Sequence, residues 1–485
     1  MKNFIKVVGV QVCLGLCISA YAGPMEVTLI KRNATVNFDN VGTVQSRSIE
    51  CDVGSTLVSA EGFSNDDEIV ESGVKIHAGG PPGRTAHISF RRNATESDIQ
   101  TISAGGTVAS LSSTIKLRAT CLTGINVKMY GAVGDGVTLD NAAIAQAIAD
   151  APVDGTVYFP AGNYVINEDF AINKRIKLVG DGPSTQIFQS DSAANVFVVT
   201  ARGVRISDMY LGSASTAPDT ALLNLQRAHY ADVENIIMRG SYYGLWAFGT
   251  LSSKFTNIRT DANIGVAYFA AASTSQNQTW IRTERDTTNL FSANANVFIH
   301  PMLEGGLTCF HHSDFGGAGN FTIFGGVIQG CQTVGLKVEG NGGTVNVYGT
   351  HFENNYEVFG ALDVETDTSF GLNLNGVFSV GKFHFKNIGS EHAIMNSMVN
   401  RVEIDPGIKR TIMFGSKHSN TAPGLQITDN SGGHSYYAVN GVIQSLLSPS
   451  ATTIGLGTAG PPSNTSGQPA SLEVNGPGTF TSVTP

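Results

Sequence analysis

The sequence predicts an all-β chain built as a solenoid of stacked parallel strands, preceded by a small antiparallel β-domain. Three observations support this prediction. Short alternating apolar segments recur at steps of roughly 18 to 25 residues between Val233 and Val345, a spacing typical of a stacked repeat. A helical pattern, Asn141–Asp150, precedes this region. The chain also has only 14% charged residues and contains 56 glycines against 16 prolines, which fits tight turns and strands better than a helical protein.

The first residues have the pattern of a secretory signal peptide. Lys2 and Lys6 precede an apolar run from Val7 to Ile18, and small residues end at Ala22. The run is too short to span a bilayer as a stable anchor. We therefore expect residues 1–22 to be a signal peptide cleaved after Ala22, and the mature protein to be secreted or periplasmic.

The remaining chain divides into three predicted regions. Residues 23–122 hold short alternating runs such as His87–Phe90, separated by Gly, Asn, Asp and Pro, and predict a small antiparallel β-domain. Residues 123–404 form the strand stack. Residues 405–485 are predicted to be a C-terminal extension of strands and loops with a flexible tail, because Gly, Ser, Thr, Asn and Pro crowd its end.

The predicted helix has an apolar side that needs a partner. Asp140 has the residue type of an N-cap, and Ala142, Ile144, Ala147 and Ile148 form an apolar stripe. An isolated helix of about three turns is marginal in water, so it must lie on an apolar surface. We expect it to cover the open first turn of the strand stack.

The segment "VKMYGAVGDGVTLDNAAIAQAI", followed by "GTVYFPAGNYVI", resembles the first part of the pectate-lyase-like superfamily. This superfamily includes polygalacturonases, rhamnogalacturonase-like enzymes and phage tailspike depolymerases. The resemblance implies a right-handed single-stranded parallel β-helix with an N-terminal cap helix, and a polysaccharide-degrading enzyme. The polygalacturonase motifs do not occur here in order, so no catalytic residue is carried over from them. By analogy with tailspikes, a trimer is one alternative for the oligomeric state.

The charge of the chain limits its partners. The formal net charge is −9, and no basic region supplies the field that neutralises nucleic-acid phosphates. We therefore expect a polysaccharide partner and no nucleic acid. An acidic polysaccharide would require a local basic patch on the surface.

Aligning the repeats on their inner strands predicts a substrate-binding column. Arg259, Arg282 and His300 each follow such a strand, and Phe324 and Tyr348 hold the same slot further along. Guanidinium groups bind carboxylates, and aromatic rings stack on sugars. We interpret this column as lining a sugar-binding groove, with a solvated surface face as the alternative.

A few residues further along, Glu304, Gln329 and Glu353 also align. Glu304 and Glu353, with one turn between them, are expected roughly 9 to 10 Å apart, near the upper limit for an inverting glycosidase. Four of the 11 histidines lie in the same region: His300, His311, His312 and His351. We predict Glu304 and Glu353 as the acid–base pair. Asp314 is the reserve, in a loop that could fold over the same face.

Three functions remain open at this point. The first is a glycoside hydrolase, for which no cofactor is expected. The second is a polysaccharide lyase, in which Arg282 or a histidine removes the C5 proton of a uronic acid while Glu284 and Asp286 hold Ca²⁺. The third is a non-catalytic carbohydrate-binding or adhesin solenoid. The sequence does not identify the sugar.

The cysteines predict two disulfides. Two of the six cysteines lie in the signal peptide, and an even number remains for an oxidising compartment. We predict the pairs Cys51–Cys121 and Cys309–Cys331; the second pair is separated by 22 positions, about one turn of the stack. Neither pair has the spacing of a metal site, and no metal ligands are predicted from the cysteines.

Overall fold

The computed structural model describes residues 27–455, with gaps at 39–43, 51–54, 65–68, 77–84, 93–110, 214–216, 262–278, 287, 289–291, 316–318, 341–342, 354, 358–359, 369–370, 387–390, 409, 417–425, 430–433, 440–441 and 448–451. The described residues fall into two compact units. The first lies within Met1–Tyr164 and Ile176–Asp181, and the second within Val165–Arg175 and Gly182–Pro485. The predicted signal peptide lies outside the described residues.

Six strands of the first unit form two antiparallel sheets. One sheet contains Val27–Phe38, Leu111–Thr123 and Ser55–Ser64, and the other contains Val44–Glu50, Thr85–Arg92 and Ile69–Ile76. Alternation along one strand buries Ile88 and Phe90 completely, with the less buried Ser89 between them. The predicted antiparallel β-domain is confirmed, because this period-2 pattern leaves one face of each strand to pack inward.

The rest of the first unit contains one helix. Its elements are Ile125–Asn126, a 3₁₀ turn at Val127–Tyr130, Asp135–Leu139, the helix Asn141–Asp150, Thr156–Phe159 and Lys177–Gly180. A further strand, Gly162–Ile166, runs from this unit into the second.

The helix has its predicted bounds, but the residues that it buries differ at one position from the predicted apolar stripe. It buries Ala143, Ile144, Ala147 and Ile148, whereas Ala142 is exposed. Ala143 lies on the apolar side because positions four apart on a helix share a face, and it shares that side with Ala147.

Asp140 ties the preceding glycine turn to the helix. Its side chain makes no hydrogen bond to the N–H groups of the first helical turn. Instead, its carboxylate accepts from the N–H of Val133 at 2.6 Å and of Gly134 at 3.2 Å. Gly134 has φ +67°, and a Cβ there would lie 3.0 Å from the ring of Tyr164, so this turn requires glycine. Asp140 thus occupies the predicted N-cap position, but its carboxylate binds the glycine turn and not the helix N–H groups.

In the second unit, equivalent strands of successive turns pair in parallel and form three faces. The first face contains the N-terminal parts of Arg205–Ser213 and Asp232–Gly240, then Lys254–Thr256, Asn296–Ile299, Phe321–Phe324, Thr344–Tyr348, Gly371–Asn375, Glu391–Met395, Arg410–Ser416 and His434–Val439. The second face contains Thr185–Gln189, the C-terminal parts of the same two long strands, then Arg259–Thr260, Met302–Glu304, Val327–Gln329, His351–Glu353 and Phe378–Ser379.

The third face is a single sheet of parallel strands closed by short antiparallel partners. Its parallel strands are Phe170–Ile172, Phe197–Val199, Ala221–Gln226, Tyr243–Phe248, Thr279–Glu284, Thr308–Asp314, Val334–Gly340, Gly360–Thr368, Lys382–Lys386, Arg401–Ile404 and Gln426–Asp429. Tyr356–Glu357 and Thr452–Gly455 pair antiparallel with strands of this face, and Val442–Leu447 pairs antiparallel with the last strand of the first face. The predicted parallel β-helix is confirmed.

One residue in each turn bends the chain from the first face to the second. These bend residues have positive φ, between 50° and 65°: Asp208, Asn235, Asn257, His300, Gly325, Gly349, Gly376, Asn396 and Gly415. Glycine and asparagine tolerate this left-handed conformation best, which explains their frequency here. The Asn257 amide donates to Asn235 Oδ1 at 3.0 Å, and the Asn235 amide donates to Asp208 Oδ1 at 2.9 Å, so these side chains also form a ladder.

Aromatic side chains fill the interior between the faces. Phe255 stacks on Phe298 at 4.7 Å, Phe310 stacks on Phe321 at 5.1 Å, and Phe298 meets Phe310 edge to face. These rings are at most 2% exposed. Stacking of like residues from successive turns fixes the register in which outward side chains align.

The parallel stack extends past the predicted boundary at residue 404. Arg410–Ser416 pairs in parallel with Glu391–Met395, and Gln426–Asp429 pairs in parallel with Arg401–Ile404. The apolar alternation is weaker in this region, which is why the sequence pattern placed the end of the stack too early. Residues 456–485, predicted as a flexible tail, lie outside the described residues.

Candidate functional site

An acidic column runs along the outer side of the second face. Three consecutive strands end at Glu304, Gln329 and Glu353, and register pairing places these three residues opposite one another. The alignment predicted from the sequence is confirmed. Glu304 and Glu353 are two strand spacings apart, about 9.6 Å at the backbone, with the uncharged Gln329 between them.

His351 contacts Glu353, the last glutamate of this column. His351 Nε2 lies 3.3 Å from Glu353 Oε2, and the two side chains are 40% and 42% exposed. The His351 ring also packs against Phe378, with 4.4 Å between ring centroids. Both residues are therefore accessible to a ligand, and one oxygen of Glu353 has a defined neighbour.

Asp261 extends the acidic column by one turn. Arg259 pairs with Met302, so Asp261 occupies the position on its strand that Glu304 occupies on the next. The strand spacing puts their backbones roughly 5 Å apart. Sequence reasoning missed Asp261, although a signal was present: Asp261 and Glu304 each lie four positions after a bend residue, Asn257 and His300.

A hydrogen bond from Tyr210 holds the Asp261 carboxylate. Asp261 is only 8% exposed, and the Tyr210 hydroxyl donates a hydrogen bond to its Oδ2 at 3.0 Å. Burial, followed by the charge of Asp261, raises the pKa of Tyr210, so this hydroxyl stays protonated and remains a donor. Arg239 also interacts with the Tyr210 hydroxyl. Tyr210 and Arg239 belong to turns that precede Asp261, whereas Glu304 belongs to the turn that follows it. The hydrogen bond from Tyr210 therefore orients Asp261 from the side opposite to Glu304.

Two contacts fix the turn that carries Glu304. Its backbone N–H donates to Thr260 Oγ1 at 2.6 Å. The disulfide Cys309–Cys331, with 5.7 Å between Cα atoms, joins this turn to the next, and Cys309 Sγ lies 3.3 Å from the carbonyl oxygen of Gly305. The predicted Cys309–Cys331 disulfide is confirmed. It links the turn that carries Glu304 to the turn that carries Gln329.

The predicted cationic column does not form. Arg259 lies on the second face beside Met302, Arg282 lies on the third face, and His300 is the bend residue between the first and second faces. The prediction treated every inner strand as equivalent, whereas each turn has three strands that point in different directions. Sequence spacing alone does not distinguish them.

Phe324 and Tyr348 do share a column on the first face, but their rings stack on each other. Their centroids are 5.2 Å apart and the ring planes differ by 14°. Each ring covers one face of the other, and the two residues remain 43% and 39% exposed. The predicted aromatic part of the column is therefore present on the first face.

The third face carries a compact charged cluster that includes two predicted residues. Arg282 and His311 are register partners, and Arg282 Nη1 contacts the His311 ring, lying 3.0 Å from Nε2. His311 Nε2 is 2.7 Å from Glu339 Oε1, and Lys337 Nζ is 3.0 Å from Glu339 Oε2. Arg282 Nε also binds Glu284 Oε2 at 3.2 Å. Two cations and two carboxylates therefore balance around one imidazole.

Charge and burial define the protonation of this cluster. Burial works to raise the pKa of Glu339, but hydrogen bonds and charges of His311 and Lys337 overcome it and lower the pKa to about 2. Burial lowers the pKa of His311, with Glu339 acting in the opposite direction. His311 is therefore neutral near pH 7, and its contact with the carboxylate places the proton on Nε2.

His312 and Asp314 point into the interior and not toward a groove. Both belong to the Thr308–Asp314 strand, and both are completely buried. His312 Nδ1 lies 2.7 Å from Thr283 Oγ1, its ring packs on Phe321, and burial lowers its pKa to about 3. The segment predicted as a loop is a strand, so alternation sends His311 outward and His312 inward. This position leaves Asp314 away from the acidic column.

The calcium ligands considered for a lyase have other neighbours. Glu284 binds Arg282, and the buried Asp286 has Arg227 Nε at 3.4 Å from Oδ2. Each carboxylate thus already faces an arginine, which opposes binding of a second cation. For the predicted Cys51–Cys121 disulfide, Cys51 lies outside the described residues.

Comparison with known proteins agrees with the fold. Residues 124–358 match the family model described as rhamnogalacturonase A/epimerase, pectate lyase-like. The predicted resemblance to the pectate-lyase-like superfamily of right-handed parallel β-helix proteins is confirmed for this segment. The match includes the acidic column of the second face and the Arg282–His311 contact.

Similarity to individual proteins is more limited. A stretch of 99 residues is 36% identical to a Penicillium expansum protein described as a non-secreted LysM effector; it covers 18% of this chain and 7% of that protein. Among solved structures, ORF18 of Geobacillus virus E2 has a TM-score of 0.39 and 16% identity, over 65% of this chain and 61% of that one. The catalytic unit of a Streptomyces thermodiastaticus GH87 α-1,3-glucanase has a TM-score of 0.38 and 13% identity, over 84% and 92%. The chain thus spans less than two thirds of the first two of these proteins.

None of the described helices reaches the length and hydropathy needed to cross a bilayer.

Proposed function

We propose that this protein is a glycoside hydrolase whose active site is the acidic column of the second face. The observation that supports this proposal is the register of Glu304, Gln329 and Glu353 on consecutive strands. Hydrolysis of a glycosidic bond uses two carboxyl groups on opposite sides of the bond. The column supplies them on an outer face of the solenoid, where a linear sugar chain can lie across several turns.

In the proposed mechanism, Glu353 is the general base and Glu304 is the general acid. His351 contacts one Glu353 oxygen, which leaves the other free to take a proton from water. Glu304 donates a proton to the leaving oxygen. The backbone separation of about 9.6 Å lies at the upper limit for inversion, and rotation of the two flexible side chains toward each other leaves room for the water between them.

Asp261 offers a second partner for Glu304 with a different stereochemical outcome. A carboxylate one strand away is roughly 5 Å distant, which is the spacing of retaining enzymes. The burial of Asp261 and its hydrogen bond from Tyr210 favour a role in orienting the neighbouring groups instead. The configuration of the released sugar distinguishes these assignments.

The test begins with a panel of plant and bacterial polysaccharides, neutral and uronate-containing, incubated with purified protein. Reducing ends report hydrolysis, and absorbance near 235 nm reports the unsaturated product of a lyase. For an active substrate, proton NMR of the first-formed product identifies its anomeric configuration. Inversion supports the Glu304 and Glu353 pair, retention supports Glu304 and Asp261, and an unsaturated product contradicts the hydrolase proposal.

The second candidate function is a polysaccharide lyase that uses the third face. The observation that favours it is the direct contact between Arg282 and the neutral His311. A neutral imidazole can remove the C5 proton of a uronic acid, and the guanidinium can bind the sugar carboxylate. We rank it second because both groups already bind Glu339 or Glu284, so the cluster has no excess positive charge.

Secretion forms part of the proposal. The predicted signal peptide and the Cys309–Cys331 disulfide both fit an oxidising compartment outside the cytoplasm. A protein that binds a polysaccharide from the panel but releases neither reducing ends nor unsaturated product would support the third alternative, a carbohydrate-binding solenoid.

A further inference from the structure

A group of three potential metal ligands lies on the third face, apart from both proposed catalytic sites. His384 and Glu403 are register partners on neighbouring strands. Asp405 follows Glu403 by two positions, and alternate residues of an extended chain point to the same side. Among the residues that the structure describes, this is the group of three in which His and carboxylate ligand atoms all lie within 4.8 Å of one another.

The geometry of this group is close to that of ligands around one ion. His384 Nε2 lies 3.1 Å from Asp405 Oδ1. In a tetrahedral zinc site with bonds of about 2.0 to 2.1 Å, neighbouring ligand atoms are roughly 3.3 Å apart. All three side chains are partly exposed, so an ion can enter from solvent and keep a water as its fourth ligand.

We propose that His384, Glu403 and Asp405 bind a divalent transition-metal ion, with Zn²⁺ as the ion that their chemistry fits best. One imidazole and two carboxylates form a mixed nitrogen and oxygen set that zinc accepts. Calcium takes oxygen ligands only, and a histidine at the centre of the group does not suit it. The ion would join two successive turns near the end of the third face.

Lys382 controls the affinity of this site. Its Nζ lies 3.1 Å from Glu403 Oε2. The ammonium group neutralises part of the negative charge that attracts a cation. An ion at this site therefore competes with Lys382 for Glu403.

Zinc binding by the full chain, measured by isothermal titration calorimetry after treatment with a chelator, tests the proposal. We expect one ion per chain, and a higher unfolding temperature with Zn²⁺ than without it. Co²⁺ serves as a spectroscopic probe, because a site of this kind gives visible absorption bands in the metal-bound protein. His384→Ala should weaken binding at least about tenfold and abolish the stabilisation by Zn²⁺.

Two further variants make the test specific. His351→Ala is the matched control, since His351 also pairs with a glutamate but has no third ligand among the described residues. It should bind Zn²⁺ as tightly as the wild type. Lys382→Met should bind Zn²⁺ more tightly, because it removes the competing cation while keeping the length of the side chain.

The outcomes separate the proposal from its alternatives. Equal Zn²⁺ binding by the wild type and His384→Ala would place any metal elsewhere and overturn the proposal. No binding by the wild type, together with no binding by Lys382→Met, would show that the cluster is an ion-pair network only. Neither result bears on hydrolysis, because the acidic column lies on a different face.

Discussion

His351 Nε2 and Glu353 Oε2 lie 3.3 Å apart on an open part of the second face. An exposed side-chain contact of this kind contributes between 0 and about 1 kcal/mol to folding. Substitutions here therefore report on chemistry with little interference from stability. The backbone N–H of the outward Glu304 is held by Thr260 Oγ1, so its position on the face does not depend on the charge of its carboxyl group alone.

The acid–base pair gives the first prediction. Glu304→Gln and Glu353→Gln keep size and hydrogen-bonding capacity but remove the ionisable group. Each should lower kcat at least about a hundredfold without a change in melting temperature. Glu391→Gln, an exposed glutamate on the first face, is the control and should keep full activity. Wild-type rates in both column variants would exclude this site.

Asp261 supplies the second prediction. If it orients its neighbours, Asp261→Asn should lower both stability and turnover, because the change removes the charged acceptor of the Tyr210 hydroxyl. Tyr210→Phe should reproduce part of this loss. A nucleophile would behave differently: Asp261→Asn would abolish turnover, and added azide would restore a product of inverted configuration. Thermal unfolding and kcat, measured on both variants, decide between the two roles.

The charged cluster of the third face predicts a dependence of stability on pH. Glu339 has a pKa lowered from 4.5 to about 2 in the folded chain. Between these values the unfolded state binds more protons, so the contribution of this group is complete above about pH 4.5 and is lost as the pH falls toward 2.

Glu339→Gln removes this dependence. The difference in unfolding free energy between pH 5 and pH 2.5 should be smaller in the variant than in the wild type, by on the order of 1 to 3 kcal/mol. Urea unfolding at both pH values measures it. An equal pH dependence in the two proteins would show that the contacts of Glu339 with His311 and Lys337 do not form in solution.

The disulfide beside the acidic column gives the fourth prediction. Cys309 and Cys331 are separated by 22 residues, and a loop of this size contributes on the order of 3 kcal/mol in the chain-entropy model. The double serine variant should therefore melt several degrees lower. Peptide mapping without reductant should recover the two cysteines of the wild type as one linked pair. Recovery of two free thiols would contradict the pairing.

The helix of the first unit gives the fifth prediction. Ile148→Asp places a charge on the buried side of Asn141–Asp150 and should cause misfolding or aggregation. Ala142→Asp is the control, because this position is exposed near the helix start, where a negative charge is favourable. Solubility and circular dichroism compare the two. A soluble, normally folded Ile148→Asp protein would contradict the burial of this side.

The sequence by itself determined the architecture and part of the site. The repeat of apolar triplets predicted the stack of parallel strands, and the helix was predicted at the bounds that it has. Glu304, Gln329 and Glu353 were aligned correctly because all three follow the bend at one fixed offset within regular turns. The Cys309–Cys331 pair was found for the same reason, since its spacing equals about one turn.

Only the tertiary structure decided which face each side chain occupies. Arg259, Arg282 and His300 look equivalent when each is counted from the nearest apolar strand, yet they lie on the second face, on the third face and at the bend. A turn has three strands of similar composition, and sequence alternation shows that a residue points outward but not in which direction. The partners of Asp261 and the group around His384 come from neighbouring turns, 20 or more positions away in most cases. Their contacts depend on the exact register between turns, which is set by packing of the aromatic interior and not by any local pattern.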